Sequence, residues 1–208
     1  MASRTARKVA LIDVGIASFA PDGQVESGDL SVAYSDPDHA LLAAIDGIGH
    51  GKSAAAAARA AAAILESSPE EDLISLIQKC HESLRSTRGV VLSLASIDFQ
   101  RRILTWLGVG NVQGVLVRSA NSPDSGNHSL LLRPGVIGSR LPALQTTTLH
   151  IFPGDTLAFA TDGIRGDFAD DLFTHEAPQR SADRILAKHC KGNDDALIFV
   201  ARFTGRAQ

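Results

Sequence analysis

Apolar and polar positions alternate in two rhythms along the 208 residues of this chain. Residues 40–45, Ala-Leu-Leu-Ala-Ala-Ile, are a continuous apolar run too short for a buried helix. A carboxylate and three glycines follow at once, so the pattern predicts a buried strand. Residues 54–65 are alanine-rich around Arg59, a composition that favours helix and leaves side chains small enough for close packing on a sheet. Upstream, residues 9–20 begin apolar and end at Pro21-Asp22-Gly23, which predicts a first strand answered by a second over 24–34. Ser68-Pro69-Glu70-Glu71 closes the first helix and reads as a capping box for another, with Ser68 as the cap. Leu73, Ile74, Ile77, Cys80 and Leu84 carry that helix to about residue 86, making Cys80 a core residue and leaving His81 on the surface.

From residue 90 the period becomes extended. Runs at 90–98, 103–107 and 112–117 predict an antiparallel meander, with Gly108-Val109-Gly110-Asn111 between the last two. Residues 120–129 read as a loop with His128 in solvent. Residues 133–142 are irregular, and their Arg133 and Arg140 are either solvated or available to an anionic substrate. Residues 146–152 and 156–161 flank Pro153-Gly154-Asp155 as a hairpin, helices are expected at 167–173 and 178–190, and the last strand at 196–203.

Composition narrows the class. With 44% apolar and 21% charged residues, the chain suits one well-filled core, and no compositional break divides residues 1–208 into two domains. A formal charge of -3 supplies no general attraction to nucleic acid. Two cysteines make neither a disulfide framework nor a zinc pattern and suit a reducing compartment, so the expected address is the cytoplasm. No run reaches the length of a membrane span, and residues 1–8 are basic without an apolar signal region behind them.

The chemistry begins at Asp46, set between a strand end and a helix start. Gly-His-Gly-Lys-Ser at 49–53 resembles a P-loop, but that loop needs glycine where Asp46 stands, and a carboxylate there would repel phosphate. Asp46-Gly47 is also an ordinary hairpin signal, although a helix rather than a strand follows. The third reading makes Asp46 an oxygen ligand of a divalent cation, with the Gly47 carbonyl facing the same ion. The arrangement recurs where residues 156–161 deliver Asp162-Gly163, and Asp194-Asp195 stands before the last strand. Carboxylates gathered without compensation raise one another's pKa, so their convergence implies bound cations. All-oxygen donors point to magnesium or manganese, and two such ions about 3.5–4 Å apart suit phosphomonoester hydrolysis. Asp29, within Ser27-Gly28-Asp29, sits in poor strand sequence, which by itself reads as a bulge with a solvated carboxylate.

Six segments in order resemble the metal-dependent PPM/PP2C-type protein phosphatases, in their SpoIIE-like bacterial branch. They are Ser27-Gly28-Asp29, Ala44-Ile45-Asp46-Gly47-Ile48-Gly49-His50-Gly51, Gly108-Val109-Gly110-Asn111, Pro153-Gly154-Asp155, Ala160-Thr161-Asp162-Gly163-Ile164 and Asp194-Asp195. The short length, Thr87-Arg88-Gly89 and residues 98–112 look most like the branch members that reset stressosome proteins. The resemblance implies an α+β fold, a four-layer α/β/β/α sandwich of two antiparallel sheets flanked by helices. It implies Mn2+ or Mg2+, as two ions, with Asp46 bridging, the Gly47 carbonyl on one, Asp162 and Asp194 on the other, and Asp29 acting through water. Asp195 competes with Asp194 for its role. The implied activity is that of a serine/threonine phosphatase, monomeric, acting on a phosphorylated STAS-domain regulatory protein. A catalytically inactive module docking the same partner is the alternative. Two departures stand out: Ile48 occupies the position of a histidine in eukaryotic relatives, so His50 is not assigned as general acid, and their phosphate-gripping arginine has no clear counterpart.

Overall fold

The computed structural model describes residues 8–9, 11–21, 26–124 and 126–205. Its elements in order are β1 (Lys8–Val9), β2 (Ile12–Phe19), β3 (Asp29–Ser35), β4 (His39–Gly47), α1 (Lys52–Ser67), α2 (Leu73–Ser83), β5 (Val90–Asp98), β6 (Ile103–Val109) and β7 (Gln113–Val117). There follow β8 (His128–Ser129), β9 (Leu132–Arg133), β10 (Thr147–His150), β11 (Thr156–Ala160), a 3-10 turn at Gly166–Asp171, α3 (Pro178–His189) and β12 (Ala196–Phe203). One sheet runs β1-β2-β12-β11-β7-β8, and the other runs β10-β6-β5-β4-β3 with β9 beside β6. All pairings are antiparallel except β6 with β9.

Both faces of each central strand are covered, which explains the unbroken apolar run in β4. Ala40, Leu42 and Ala44 enter the core between the sheets, while Leu41, Ala43 and Ile45 enter a second core shared with α1 and α2. β12 divides likewise: Leu197, Phe199, Ala201 and Phe203 face the other sheet, and Ala196, Ile198 and Val200 face α3. The layers are therefore helix, sheet, sheet, helix, as the resemblance implies.

Strand positions follow the sequence pattern, but sheet membership does not. Residues 112–117 do not complete a meander: after β6 the chain turns at Gly110, with φ 97, and β7 joins the opposite sheet beside β11. Nor do the arms around Pro153-Gly154-Asp155 pair. β10 pairs β6 in one sheet and β11 pairs β7 and β12 in the other. Asp155 anchors that crossover, fully buried, accepting the amides of Ser119 and Phe152 and a 2.7 Å bond from the Arg118 guanidinium. β2 and β3 likewise lie in different sheets, while the turn at Asp22-Gly23 and residues 1–7 fall outside the described residues.

Three smaller expectations also change. The cap of α2 is Asp72, whose carboxylate accepts the Ser75 amide, while Ser68 ends α1. His81 is half-buried and accepts the Gly138 amide at 3.0 Å. His128 is half-buried in β8 beside Arg118.

Candidate active site

The two sheets part at one end, and there the carboxylates meet. Asp29 opens β3 and stands directly opposite Asp46 in the β3–β4 register. It occupies the first position of a strand rather than a bulge within one. Like charges opposite one another destabilise an antiparallel pair, so this register is costly unless cations or protons offset it. From the facing sheet, Asp162 follows β11 and Asp194-Asp195 precedes β12. Asp29, Asp46, Asp162, Asp194 and Asp195 line one cavity of about 190 Å3, together with Ile48, Gly49, His50 and Asn111. Every acidic residue that the sequence offered as a cation ligand is therefore brought into one place, while Asp155 lies outside it. Arg133 and Arg140 do not line it, and Arg133 instead donates to Gln145.

Hydrogen bonds across the sheet gap fix several of these groups. The Thr161 hydroxyl accepts the Leu197 amide at 2.8 Å, and its proton goes to Asp29 Oδ2 at 2.7 Å. Asp195 Oδ2 accepts the Gly28 amide at 2.8 Å, one residue before Asp29, while its Oδ1 is buried without a partner. Asn111 donates to Asp162 Oδ2 at 2.9 Å, and Lys191 donates to the Asp162 carbonyl at 2.6 Å. Thr161, Asn111 and Asp195 received no positioning part in the sequence reading. The available signal was a polar residue placed at the end of a buried strand or beside a motif aspartate.

Burial first, and then the neighbouring carboxylates Asp195, Asp162 and Asp194, push Asp29 up to about 7 against the lowering bond from Thr161. Asp46 is pushed up to about 8 by burial and then by Asp29, Asp162, Asp194 and Asp195. An orphaned buried oxygen, two carboxylates opposed in register and an all-oxygen donor set fit hard divalent cations. Among the described residues no three His, Cys, Asp or Glu side chains close into a ready metal cage. The carboxylates line a shared cavity instead, which suits ions that keep much of their water.

Gly47 explains how α1 comes so close to the site. Its amide donates to the Gly28 carbonyl at 3.1 Å, and a Cβ there would stand 2.2 Å from the Ala54 carbonyl oxygen. No residue with a side chain fits between β4 and α1 at that point.

Paired antiparallel sheets with flanking helices and an acidic pocket at the sheet ends define a phosphatase domain of the PP2C type. The chain belongs to the SpoIIE family, residues 36–204 matching the family described as stage II sporulation protein E. It is similar to the phosphoserine phosphatase RsbX of Bacillus subtilis (strain 168), at 26% identity over 182 residues, 86% of this chain and 88% of RsbX. A solved structure described as the bacterial stressosome, a modular system adapted to control secondary messenger signaling, shares 31% identity with a TM-score of 0.84, covering 92% of this chain and 99% of that one. A crystal structure of RsbX in complex with magnesium has the same fold, with a TM-score of 0.85 at 22% identity, covering 98% of this chain and 100% of that one.

Proposed function

We propose that this protein is a metal-dependent serine/threonine phosphatase that removes phosphate from phosphoserine or phosphothreonine on a regulatory partner. The partner is a STAS-domain protein of a stressosome or partner-switching module, and the enzyme acts as a cytoplasmic monomer. The supporting observation is the meeting of Asp29 and Asp46 from one sheet with Asp162, Asp194 and Asp195 from the other. The phosphoserine phosphatase activity named for RsbX and the stressosome setting of a relative support the same reading.

Asp46, the Gly47 carbonyl, Asp162 and Asp194 would hold two Mn2+ or Mg2+ ions, with Asp29 contributing through water. Bound there, the ions supply Lewis acidity that lowers the pKa of water and neutralises phosphoryl charge. The chain's own part is alignment. Thr161 and the Asp195–Gly28 bond hold Asp29 in place, and Asn111 orients Asp162. Ile48 lines the pocket where eukaryotic relatives carry histidine, so that position supplies no proton to the leaving oxygen, and His50, which also lines the pocket, is not assigned the part.

Purified protein is incubated with p-nitrophenyl phosphate and then with a phosphorylated STAS protein, with and without manganese. Metal-dependent phosphate release is the expected result. No release from either substrate overturns the reading in favour of an inactive docking module.

A further inference from the structure

The pocket is walled by carboxylates, yet the substrate group in the phosphatase reading, on which this inference rests, is itself an anion. Besides Lys191, whose ammonium donates to the Asp162 carbonyl at 2.6 Å, a guanidinium lies close to the pocket wall. Thr87-Arg88-Gly89 links α2 to β5 and is tied down on both sides of Arg88. The Thr87 amide and hydroxyl both donate to the Leu84 carbonyl, at 2.9 and 2.7 Å, and Thr87 Oγ1 accepts the Gly89 amide at 3.0 Å. The Gly89 carbonyl accepts the Ile48 amide at 3.1 Å, which joins this segment directly to the loop after Asp46-Gly47. Gly89 has φ 81, and a Cβ there would stand 2.4 Å from the Ile137 carbonyl oxygen. Only glycine lets the segment lie this close.

The result is a guanidinium laid against the pocket wall. A Cβ on Gly49, a pocket-lining residue with φ 93, would stand 2.4 Å from Arg88 Nη1 and 3.6 Å from its Cζ. Arg118, Arg184 and Arg59 are paired with carboxylates. Arg88, exposed, has no hydrogen bond or ion pair among the described residues, although five carboxylates line the cavity beside it. A merely solvated arginine needs neither a bonded turn nor a bare glycine opposite its head group.

We propose that Arg88 grips the phosphate of the substrate, its planar fork binding two phosphoryl oxygens while the carboxylates opposite serve the cations. The geometry of guanidinium and phosphate favours paired parallel bonds, which lysine, a point charge, reproduces only in part. Arg88 thus adds a side-chain contact to the phosphoryl oxygens beside the charge that the cations neutralise.

The test compares wild type with Arg88→Ala, Arg88→Lys and Arg85→Ala. Arg85 is an exposed arginine nearby that pairs with Glu82 outside the pocket. In manganese, Arg88→Ala raises both the KM for p-nitrophenyl phosphate and the Ki of inorganic phosphate about tenfold, as expected for loss of a charge-assisted contact at an exposed site. Arg88→Lys recovers part of the loss, and Arg85→Ala matches wild type. Unchanged KM and Ki in Arg88→Ala overturn the proposal. A second readout needs no turnover: inorganic phosphate protects Arg88, and not Arg85, from phenylglyoxal, followed by peptide mass mapping of manganese-loaded protein. Equal labelling with and without phosphate overturns the proposal whether or not the protein hydrolyses anything. Protection without metal-dependent turnover overturns the phosphatase reading alone.

Discussion

Asp46 is pushed up to about 8 because it is half-buried and stands opposite Asp29 in the register, with three further carboxylates across the gap. Removing its charge relieves the empty pocket and removes a donor that the loaded one needs. Asp46→Asn is therefore expected to lower turnover at least about a hundredfold, since even groups behind a ligand cost 10- to 100-fold. It should also melt higher than wild type when both are free of metal. Asp162→Asn should lose turnover to the same degree, and near-wild-type rates in both variants would exclude these roles. The pH dependence follows from the same pair. Unfolded, both ionise near the ordinary value of 3.8, and folded near 7 and 8, so between those limits the native state holds more protons. The stabilisation is complete below the unfolded pKa and is lost as pH rises through about 7 and then 8. The melting temperature of metal-free protein should fall from about pH 5 to about pH 8.5, and less so in Asp46→Asn. A flat profile over that range would contradict the assignment. At this scale the sequence was legible where chemistry is local: Asp-Gly at 46 and at 162, each ending an apolar run before something other than a strand. It was silent about the positioning parts of Thr161 and Asp195, which depend on bonds to residues 132 and 167 positions away.

At the scale of elements, β4, α1, β5 and β12 were readable because both faces of the strands are buried and α1 is built of alanine. The ends and partners of elements were not. Ser68 satisfies the capping pattern, yet the chain turns once more and Asp72 takes the Ser75 amide at 3.0 Å. Proline and glutamates at 69–71 fit a tight turn as well as a first helical turn, so the pattern alone cannot choose. Asp72→Ala is expected to cost about 1 kcal/mol of stability. Ser68→Ala should stay within about 0.5 kcal/mol, both read from urea unfolding midpoints. Equal losses would restore Ser68 as the cap. Sheet membership failed for a different reason. β7 and β11 carry the same small and β-branched residues whichever sheet they enter, and the crossovers at Gly110 and Asp155 are set by a left-handed turn and a buried ion pair rather than by periodicity.

At the scale of the molecule the site is a seam. β3 and β4 bring two carboxylates from one sheet, and the ends of β11 and β12 bring three from the other, joined by Thr161 to Asp29 and Asp195 to Gly28. Cations that bind this seam draw together the two sheets whose facing side chains form the central core, so binding should register in the stability of the whole chain. A ligand at a hundred times its Kd adds about 2.7 kcal/mol, and for a domain of this length each kcal/mol is worth about 2–4 °C. Wild type should therefore gain about 5–10 °C in melting temperature with saturating manganese, reversed by chelation. Asp162→Asn should lose part of that gain, because one of the three carboxylates its sheet brings to the pocket is gone while Asp194 and Asp195 remain. A manganese shift as large in Asp46→Asn and Asp162→Asn as in wild type would mean that the metal binds elsewhere, and the carboxylates at the sheet ends would then need another partner to account for their convergence.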